Sequence, residues 1–362
     1  FSRVTLASGL RCPGPVCSPG PLERPRRNRL APLLARRQSR NALASRAPIV
    51  LALLFGLWLP LALSSCSIQK FAVKGVANSL SGGPDVYGTD EDPELIREAL
   101  PFGLKTMESL LAVVPDHEGL LLAACKGYTQ YAYAFVQSDG DLIVNSDYAR
   151  SQQLHERAYK LYLRARGFGL RGLEKRYKGI GAALNLDPVK AAARIQKRDV
   201  ATLYWTAAAW GSAITLGKDR PEMLADLPAI HALIERGLAL DEGYEGGAMH
   251  EAMILLEALP EAMGGSIQRA REHFARTIEL SHDSRPGPYV TLATSVSVLR
   301  QDRTEFRTLL EKALTYDPDR DPSQRLATIV LQRKARALLE RQDEFFIDDA
   351  PAPDTTQTQE NK

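Results

Sequence analysis

Cysteine is scarce in this sequence, and its positions show no metal or disulfide pattern. The four residues are Cys12, Cys17, Cys66 and Cys125. No pair has the spacing of a zinc site, and the set does not form the framework of a disulfide-rich secreted domain. Cys125 lies in an apolar helical run, which indicates a small buried residue. The fold therefore has to be stabilised by a hydrophobic core.

The sequence also lacks the motifs on which most enzymes depend. None of the six histidines has another histidine three or four residues away, as a helical metal site would need. His250-Glu251 begins a zinc-protease motif, but the second histidine is replaced by Ile254. A Gly-x-Ser-x-Gly elbow and a phosphate-binding glycine loop with lysine are absent too. We therefore predict that the protein is not an enzyme and has no metal or cofactor.

Acidic and basic residues nearly balance, which leaves a net charge of only +3. Residues 1–65 hold ten arginines and one glutamate, a charge of +9, so the remainder carries −6. A mildly acidic body offers no electrostatic surface to nucleic acid, and we expect no such partner.

Methionine is absent before Met107. We therefore expect translation to start shortly before Arg46, with residues 1–45 a basic leader that the mature protein does not contain.

Residues 46–65 resemble a lipoprotein signal peptide. They combine a basic start, an apolar run and small residues, and Cys66 follows them directly. Cleavage before Cys66 and lipidation of its sulfur and new amino terminus would hold the protein on a membrane surface. By resemblance to sorting in Gram-negative bacteria, Ser67 favours the periplasmic side of the outer membrane. An ordinary signal peptide and an uncut anchor helix are the alternatives.

One long apolar run, Val200–Leu216, contains no charged residue. On a helix its apolar residues occupy every face, which is typical of a membrane span or of a helix surrounded by protein. Its 17 residues are at the lower limit for a span, and threonine, serine and alanine reduce its apolarity. We therefore predict a buried helix that other helices surround.

Almost all of residues 93–346 show apolar residues at intervals of three and four, which predicts an all-α domain. Asp92-Pro93-Glu94 indicates its start, because proline suits the first helical turn and acids favour the helix dipole. No stretch shows strand alternation bounded by hairpin turns. Residues 66–92 contain four glycines, one proline and four acids, most of them after Ser81, which predicts a flexible tether. Residues 347–362 are expected to form a disordered tail.

Four segments approximate the tetratricopeptide pattern, in which an apolar residue is followed four residues later by an aromatic one and three later by alanine. The triplets are Ala158, Tyr162 and Ala165; Ile230, Ile234 and Gly237; Ala270, Phe274 and Thr277; and Phe306, Leu310 and Ala313. Their starts are 72, 40 and 36 residues apart. The last two intervals are close to the repeat length of about 34 residues. The sequence thus predicts about four cryptic helix pairs, arranged as a ring or superhelix.

Several stretches resemble the T component of tripartite ATP-independent periplasmic (TRAP) transporters, over about residues 90–346. They are RARGFGLRGLE (164–174), LYWTAAAWGSAITLGKD (203–219), IERGLALDEGYEGGAMHEAM (234–253), GGSIQRAREHFARTIELS (264–281) and LLERQDEFF (338–346). The resemblance implies a lipoprotein with tetratricopeptide-like repeats around a pore. It also implies a homotrimer and binding of the transporter's periplasmic solute-binding P component. The chain departs from the family pattern at Arg333-Lys334-Ala335-Arg336-Ala337, which leaves the role of the last helix open.

Aromatic residues are candidates for the lining of an apolar passage. These candidates are Tyr128, Tyr204, Trp205, Trp210 and Tyr244. The alternative is that they fill helix–helix interfaces.

The basic cluster Arg333, Lys334 and Arg336 predicts a solvated helix face, with binding of an acidic partner as the alternative.

Two glycine clusters have structural interpretations. Gly264-Gly265 is expected to let the chain turn sharply between two helices. The cluster 167–172 lacks a preceding strand, so it predicts close helix packing or a bend rather than a phosphate site.

We therefore expect a lipid-anchored T component that faces the periplasm, binds the P component and helps to capture or pass a small ligand. Hydrophobic molecules are among the expected ligands. The alternative is a tetratricopeptide lipoprotein scaffold for envelope assembly that carries no small ligand. An apolar pocket continuous with a channel would favour the first function. An open groove with polar walls would favour the second.

Overall fold

The computed structural model describes residues 72–83 and 85–347. The predicted basic leader, the signal peptide, the lipidation site Cys66 and the tail from residue 348 lie outside the described residues. The predicted tether lies partly within them. Its residues 72–82 are helical, Ala77 is buried, and the Asn78 Oδ1 lies 2.9 Å from the His117 Nε2. The flexibility of residues 66–92 stays a prediction.

Every regular element in the described part of the chain is helical, which confirms the predicted all-α fold class. The α-helices are α1 (Pro93–Val113), α2 (Glu118–Tyr131), α3 (Ser138–Ile143), α4 (Tyr148–Arg176), α5 (Ile180–Leu186), α6 (Pro188–Ala193), α7 (Val200–Leu216), α8 (Pro221–Leu224), α9 (Leu227–Asp241), α10 (Ala248–Glu257), α11 (Ile267–Leu280), α12 (Gly287–Leu292), α13 (Arg303–Leu314) and α14 (Arg325–Glu340). Two π-helical turns, Ala132–Gln137 and Ala293–Ser297, continue α2 and α12 directly.

Side-chain caps fix several helix starts. Asp92 Oδ1 accepts hydrogen bonds of 3.0 Å from the backbone N–H groups of Glu94 and Leu95, which confirms the start expected at Pro93. Asp147 and Asp302 cap α4 and α13 in the same manner. Each cap satisfies donors that the first helical turn leaves without a partner.

The uncharged run Val200–Leu216 forms α7 with the bounds that the sequence indicated. This helix packs against α2, α4 and α9, and among its residues only Thr215 is exposed. The prediction of a helix surrounded by other helices is therefore confirmed. Within the described residues, every helix is too short or too polar to traverse a bilayer.

Glycine is required where two helices touch and where the chain turns. A Cβ at Gly169 in α4 would lie 2.2 Å from Thr206 Oγ1 in α7, so the close packing predicted for the glycine cluster is present. Between α10 and α11, Gly264 has a φ of +90° and a Cβ at Gly265 would lie 1.8 Å from the Leu259 carbonyl oxygen. A sharp turn at this point excludes larger residues.

The tetratricopeptide-like positions lie on the buried sides of their helices. Eleven of the twelve residues are buried, and Phe274 is half-buried. This burial agrees with the pattern, in which these positions pack on one face of the second helix of each repeat. The tetratricopeptide arrangement, and with it a ring or superhelix around a pore, stays a prediction.

Helix α14 packs against α1 and against the segment that precedes α1. The Leu326 N–H donates to the Gly88 carbonyl oxygen at 3.1 Å, next to a 3.1 Å bond from Arg325 Nη1 to Thr89 O. Two turns further along α14, Arg333 donates hydrogen bonds of 2.5 and 3.1 Å to the two carboxylate oxygens of Glu94. These contacts bring side chains from both ends of the helical domain to one place.

Candidate functional site

A cavity of about 520 Å³ lies where α14 meets α1. Its lining comes from α1, both π-helical turns, α3, α4, α14 and Phe345 beyond α14. Small-molecule sites in proteins typically have volumes of about 300–1,000 Å³, so this cavity is large enough for a small organic ligand.

Both π-helical turns contribute to this one cavity. Ala134 and Phe135 belong to the first turn, where the Ser138 hydroxyl donates to the Tyr133 carbonyl oxygen at 2.9 Å. Thr294 belongs to the second turn. A π turn widens a helix at the expense of regular hydrogen bonding, and such turns are frequent at functional sites. Their convergence singles out this cavity as the candidate site.

The lining combines apolar and charged side chains. The apolar members are Pro93, Ala134, Phe135, Leu142, Val144, Val330, Ala337, Leu338 and Phe345. The charged members are Glu94, Arg97, Asp139, Asp141, Arg333, Lys334 and Arg341, four bases and three acids. Such a mixture suits a molecule with an apolar body and a polar end.

Two arginine–carboxylate pairs border the cavity. Arg97 binds both oxygens of Asp139, at 2.5 and 3.0 Å, and its guanidinium lies 5.0 Å from the centre of the Phe135 ring. The hydrogen bonds with Asp139 raise the pKa of Arg97. Arg333 binds Glu94 in the same bidentate form, and its hydrogen bonds lower the pKa of Glu94. The Arg333–Glu94 pair is therefore charged at neutral pH.

Asp141 and Lys334 form a looser arrangement at the same site. The Asp141 Oδ1 lies 2.8 Å from the His155 Nε2, whereas its Oδ2 is 3.7 Å from the Lys334 Nζ. Lys334 also donates to the Tyr133 hydroxyl at 3.4 Å, and its side chain is only 19% exposed. Burial by itself lowers the pKa of Lys334, but Tyr133 and Asp141 more than offset it, so the pKa is raised. Lys334 is thus a half-buried cation whose contacts with Asp141 and the Tyr133 hydroxyl are long, and its Nζ also lies 4.9 Å from the centre of the Tyr133 ring.

The predicted aromatic candidates lie elsewhere, and none of the five lines this cavity. Three of them form a cluster, since the Tyr204 ring centre lies 5.2 Å from that of Trp205 and 5.5 Å from that of Tyr244. Burial raises the pKa of both tyrosines. The other two have separate partners: Trp210 Nε1 donates to Asp226 at 2.8 Å, and the Tyr128 hydroxyl donates to Glu108 at 2.8 Å. Their role in lining a passage stays a prediction.

Comparison with known proteins identifies the family. A sequence model of the TRAP transporter T-component family matches residues 89–346. This chain belongs to that family. The match spans every residue that lines the cavity, from Pro93 to Phe345. The chain is also similar to an uncharacterised protein of Treponema pallidum (strain Nichols), with 28% identity over 306 residues, 79% of this chain and 94% of the relative.

One residue of the basic cluster of α14 in this T component is not on a solvated face, although the sequence predicts that the whole cluster is. Arg336 is exposed, as expected for a solvated face, but Lys334 lies half-buried at the cavity. The reason is that α14 packs on α1 and around the first π turn, a contact that joins residues over 200 positions apart. Periodicity along α14 gives no indication of that contact.

A histidine pair was also not foreseen. His250 and His273 lie 23 residues apart in sequence, yet their Nδ1 atoms are 2.7 Å apart in the T component. His250 Nε2 lies 3.0 Å from Glu242 Oε1, which Arg276 also binds at 2.8 Å. The pair joins α10 to α11, and only the packing of these helices brings it together.

Proposed function

We propose that this T component binds a periplasmic solute-binding P component and that the cavity between α1 and α14 receives a small ligand for exchange with that partner. Membership of the T-component family supports the choice of partner. The observation that carries the ligand is the 520 Å³ cavity with its mixed lining. The protein works as a homotrimer, held at the periplasmic side of the outer membrane by lipid on Cys66.

The mixed lining favours a ligand-binding role over that of a scaffold. A scaffold for extended peptides needs an open groove that satisfies backbone hydrogen bonds. This site instead offers nine apolar side chains, while its carboxylates are already held by bases. The family comprises transporter components, and we assign the site to binding without catalysis.

Filling the cavity tests this assignment. Ala337 lines the cavity from α14, whereas Ala327 lies on the same helix and is exposed. Native mass spectrometry should detect a small molecule that co-purifies with the wild-type protein and with Ala327→Phe but is absent from Ala337→Phe. All three proteins should bind the P component in a pull-down, because the added ring stays inside the cavity.

The outcomes separate the two parts of the proposal. A ligand retained by Ala337→Phe would show that the cavity is not its site. A wild-type protein that binds the P component but carries no small molecule would support the scaffold alternative. If the wild-type protein does not bind the P component at micromolar concentrations, the partner assignment is wrong.

A further inference from the structure

The exposed side of α4 carries a regular series of arginines. Arg150, Arg157, Arg164 and Arg171 are spaced seven residues apart, and all four are exposed. Seven residues are close to two helical turns, so the four side chains share one face and span roughly 30 Å. Lys160 is exposed between them. We call these five residues the α4 basic face.

This face is a concentration of positive charge on an acidic body. The helix α4 has eight basic and two acidic residues, although the chain after residue 65 carries a net charge of −6. Among the described residues, no carboxylate lies within ion-pair distance of Arg150, Arg157 or Arg171. Arg164 is 3.4 Å from Glu108, and Lys160 is 3.2 Å from Glu156. Arginines such as Arg97, Arg276 and Arg333 are instead paired at shorter distances.

Aromatic rings beneath the face contact three of its four arginines. The guanidinium of Arg157 lies 5.9 Å from the Tyr131 ring centre, and that of Arg164 lies 5.5 Å from Tyr128. Arg171 lies 5.7 Å from the Phe168 ring centre. A guanidinium held on a ring loses less side-chain entropy when it binds a partner. Arg157, Arg164 and Arg171 are therefore held in place before any partner arrives.

The chemistry of the face favours carboxylates on a protein surface. Four of its five cations are arginines, whose planar groups match carboxylates and phosphates alike in bidentate geometry, and the partner under the proposed function is a protein. A face that inserts into a membrane would present large apolar side chains among the charges. Here a hollow of about 310 Å³ along the face contains Leu161 as its one apolar lining residue, and Leu161 is half-buried.

We propose that the α4 basic face docks on a cluster of aspartates and glutamates of the solute-binding P component. This inference rests on the proposed function for the existence of that partner. It adds the surface used and the chemistry that the partner must present. Because the charges are exposed, the docking should be driven by electrostatic attraction and weakened by salt.

A pair of double variants with the same charge change tests the docking surface. Arg150→Gln with Arg157→Gln removes two charges of the face without leaving an unpaired carboxylate. Arg300→Gln with Arg320→Gln removes two exposed arginines elsewhere. At about 50 mM NaCl, the first double variant should bind the P component about tenfold more weakly than wild type, whereas the control should bind equally. The first variant should also lose less affinity between about 50 and 300 mM NaCl.

The result that overturns the inference leaves the proposed function intact. If wild type binds the P component and both double variants bind equally well, the face is not the docking surface. Circular dichroism and melting curves identical to wild type would establish that a loss of binding is not misfolding. A wild-type protein without affinity for the P component would refute the proposed function and this inference together.

Vesicle sedimentation tests the alternative that the α4 basic face binds anionic lipid. The chain from Ser67 onward keeps the helical domain but contains neither the apolar run before Cys66 nor Cys66 itself, and it can be sedimented with vesicles of phosphatidylglycerol and phosphatidylcholine. We expect the same low vesicle binding with and without the Arg150→Gln and Arg157→Gln substitutions. Loss of vesicle binding in the double variant, with partner binding unchanged, would assign the face to anionic lipid and overturn the proposal.

Discussion

Replacing Gly169 by alanine would test the packing at the centre of the protein. In α4 this residue faces α7 and α2, where a Cβ would lie 2.2 Å from Thr206 Oγ1 and 3.0 Å from the Cys125 sulfur. Two residues earlier in the same helix, a Cβ at Gly167 would have no heavy atom within 4 Å. The two glycines thus form a matched pair in one helix, with opposite surroundings.

The expected magnitudes follow from two opposing effects. Replacing glycine by alanine within a helix stabilises it by about 0.8–1 kcal/mol, and this gain applies to both positions. Forcing an extra carbon into a packed interface costs about 1–3 kcal/mol, and this cost applies to Gly169 alone. Gly167→Ala should therefore raise the free energy of unfolding by up to about 1 kcal/mol. Gly169→Ala should lower it by up to about 2 kcal/mol.

Urea unfolding followed by tryptophan fluorescence can measure both changes, because Trp205 and Trp210 lie in α7 next to the contact. For a domain of this size, each kcal/mol corresponds to a shift of about 2–4 °C in Tm. Adding Thr206→Ala should recover part of the loss in Gly169→Ala, because the nearest clashing atom is removed. If Gly169→Ala is as stable as Gly167→Ala, α4 and α7 do not approach as described.

Two further predictions concern titratable groups. Burial and the adjacent His250 lower the pKa of His273, so folding favours its neutral form. The free energy of unfolding should therefore fall as the pH drops from about 7.5 through about 6.5, the pKa of histidine in the unfolded chain. His273→Gln should flatten this dependence in urea unfolding at about pH 7.5 and about pH 5.5, and an unchanged slope would contradict it. Burial raises the pKa of the Cys125 thiol to about 12, so peptide mapping should find it unmodified by iodoacetamide in the native protein and modified in denaturant. Rapid native labelling would disprove its burial.

The helix α4 connects the two proposed activities. It supplies His155 to the cavity, and it carries the basic face on its exposed side. Its 29 residues form one uninterrupted helix with a buried side against α7. Docking of a partner on this face would therefore act on a helix that also contributes to the ligand site.

Local chemistry made much of the fold predictable. The start of α1 follows from Asp92-Pro93, whose capping and backbone preferences operate within four residues. The bounds of α7 follow from the charges that flank an uncharged run. The family resemblance, carried by five stretches, was confirmed over residues 89–346. Each of these inferences uses neighbours in sequence, where spacing translates directly into position on a helix.

The cavity could not be foreseen in this way. Its Arg333 and Glu94 are 239 residues apart, and Lys334 meets Tyr133 across 201 residues. The π-helical turns that widen it have no sequence signature comparable to a cap or a glycine turn. The amino-acid sequence by itself determined the all-α class, the uncharged α7 and the family. Which side chains face one another across the cavity was decided only by tertiary packing, because contacts between distant helices depend on how all the intervening helices pack together.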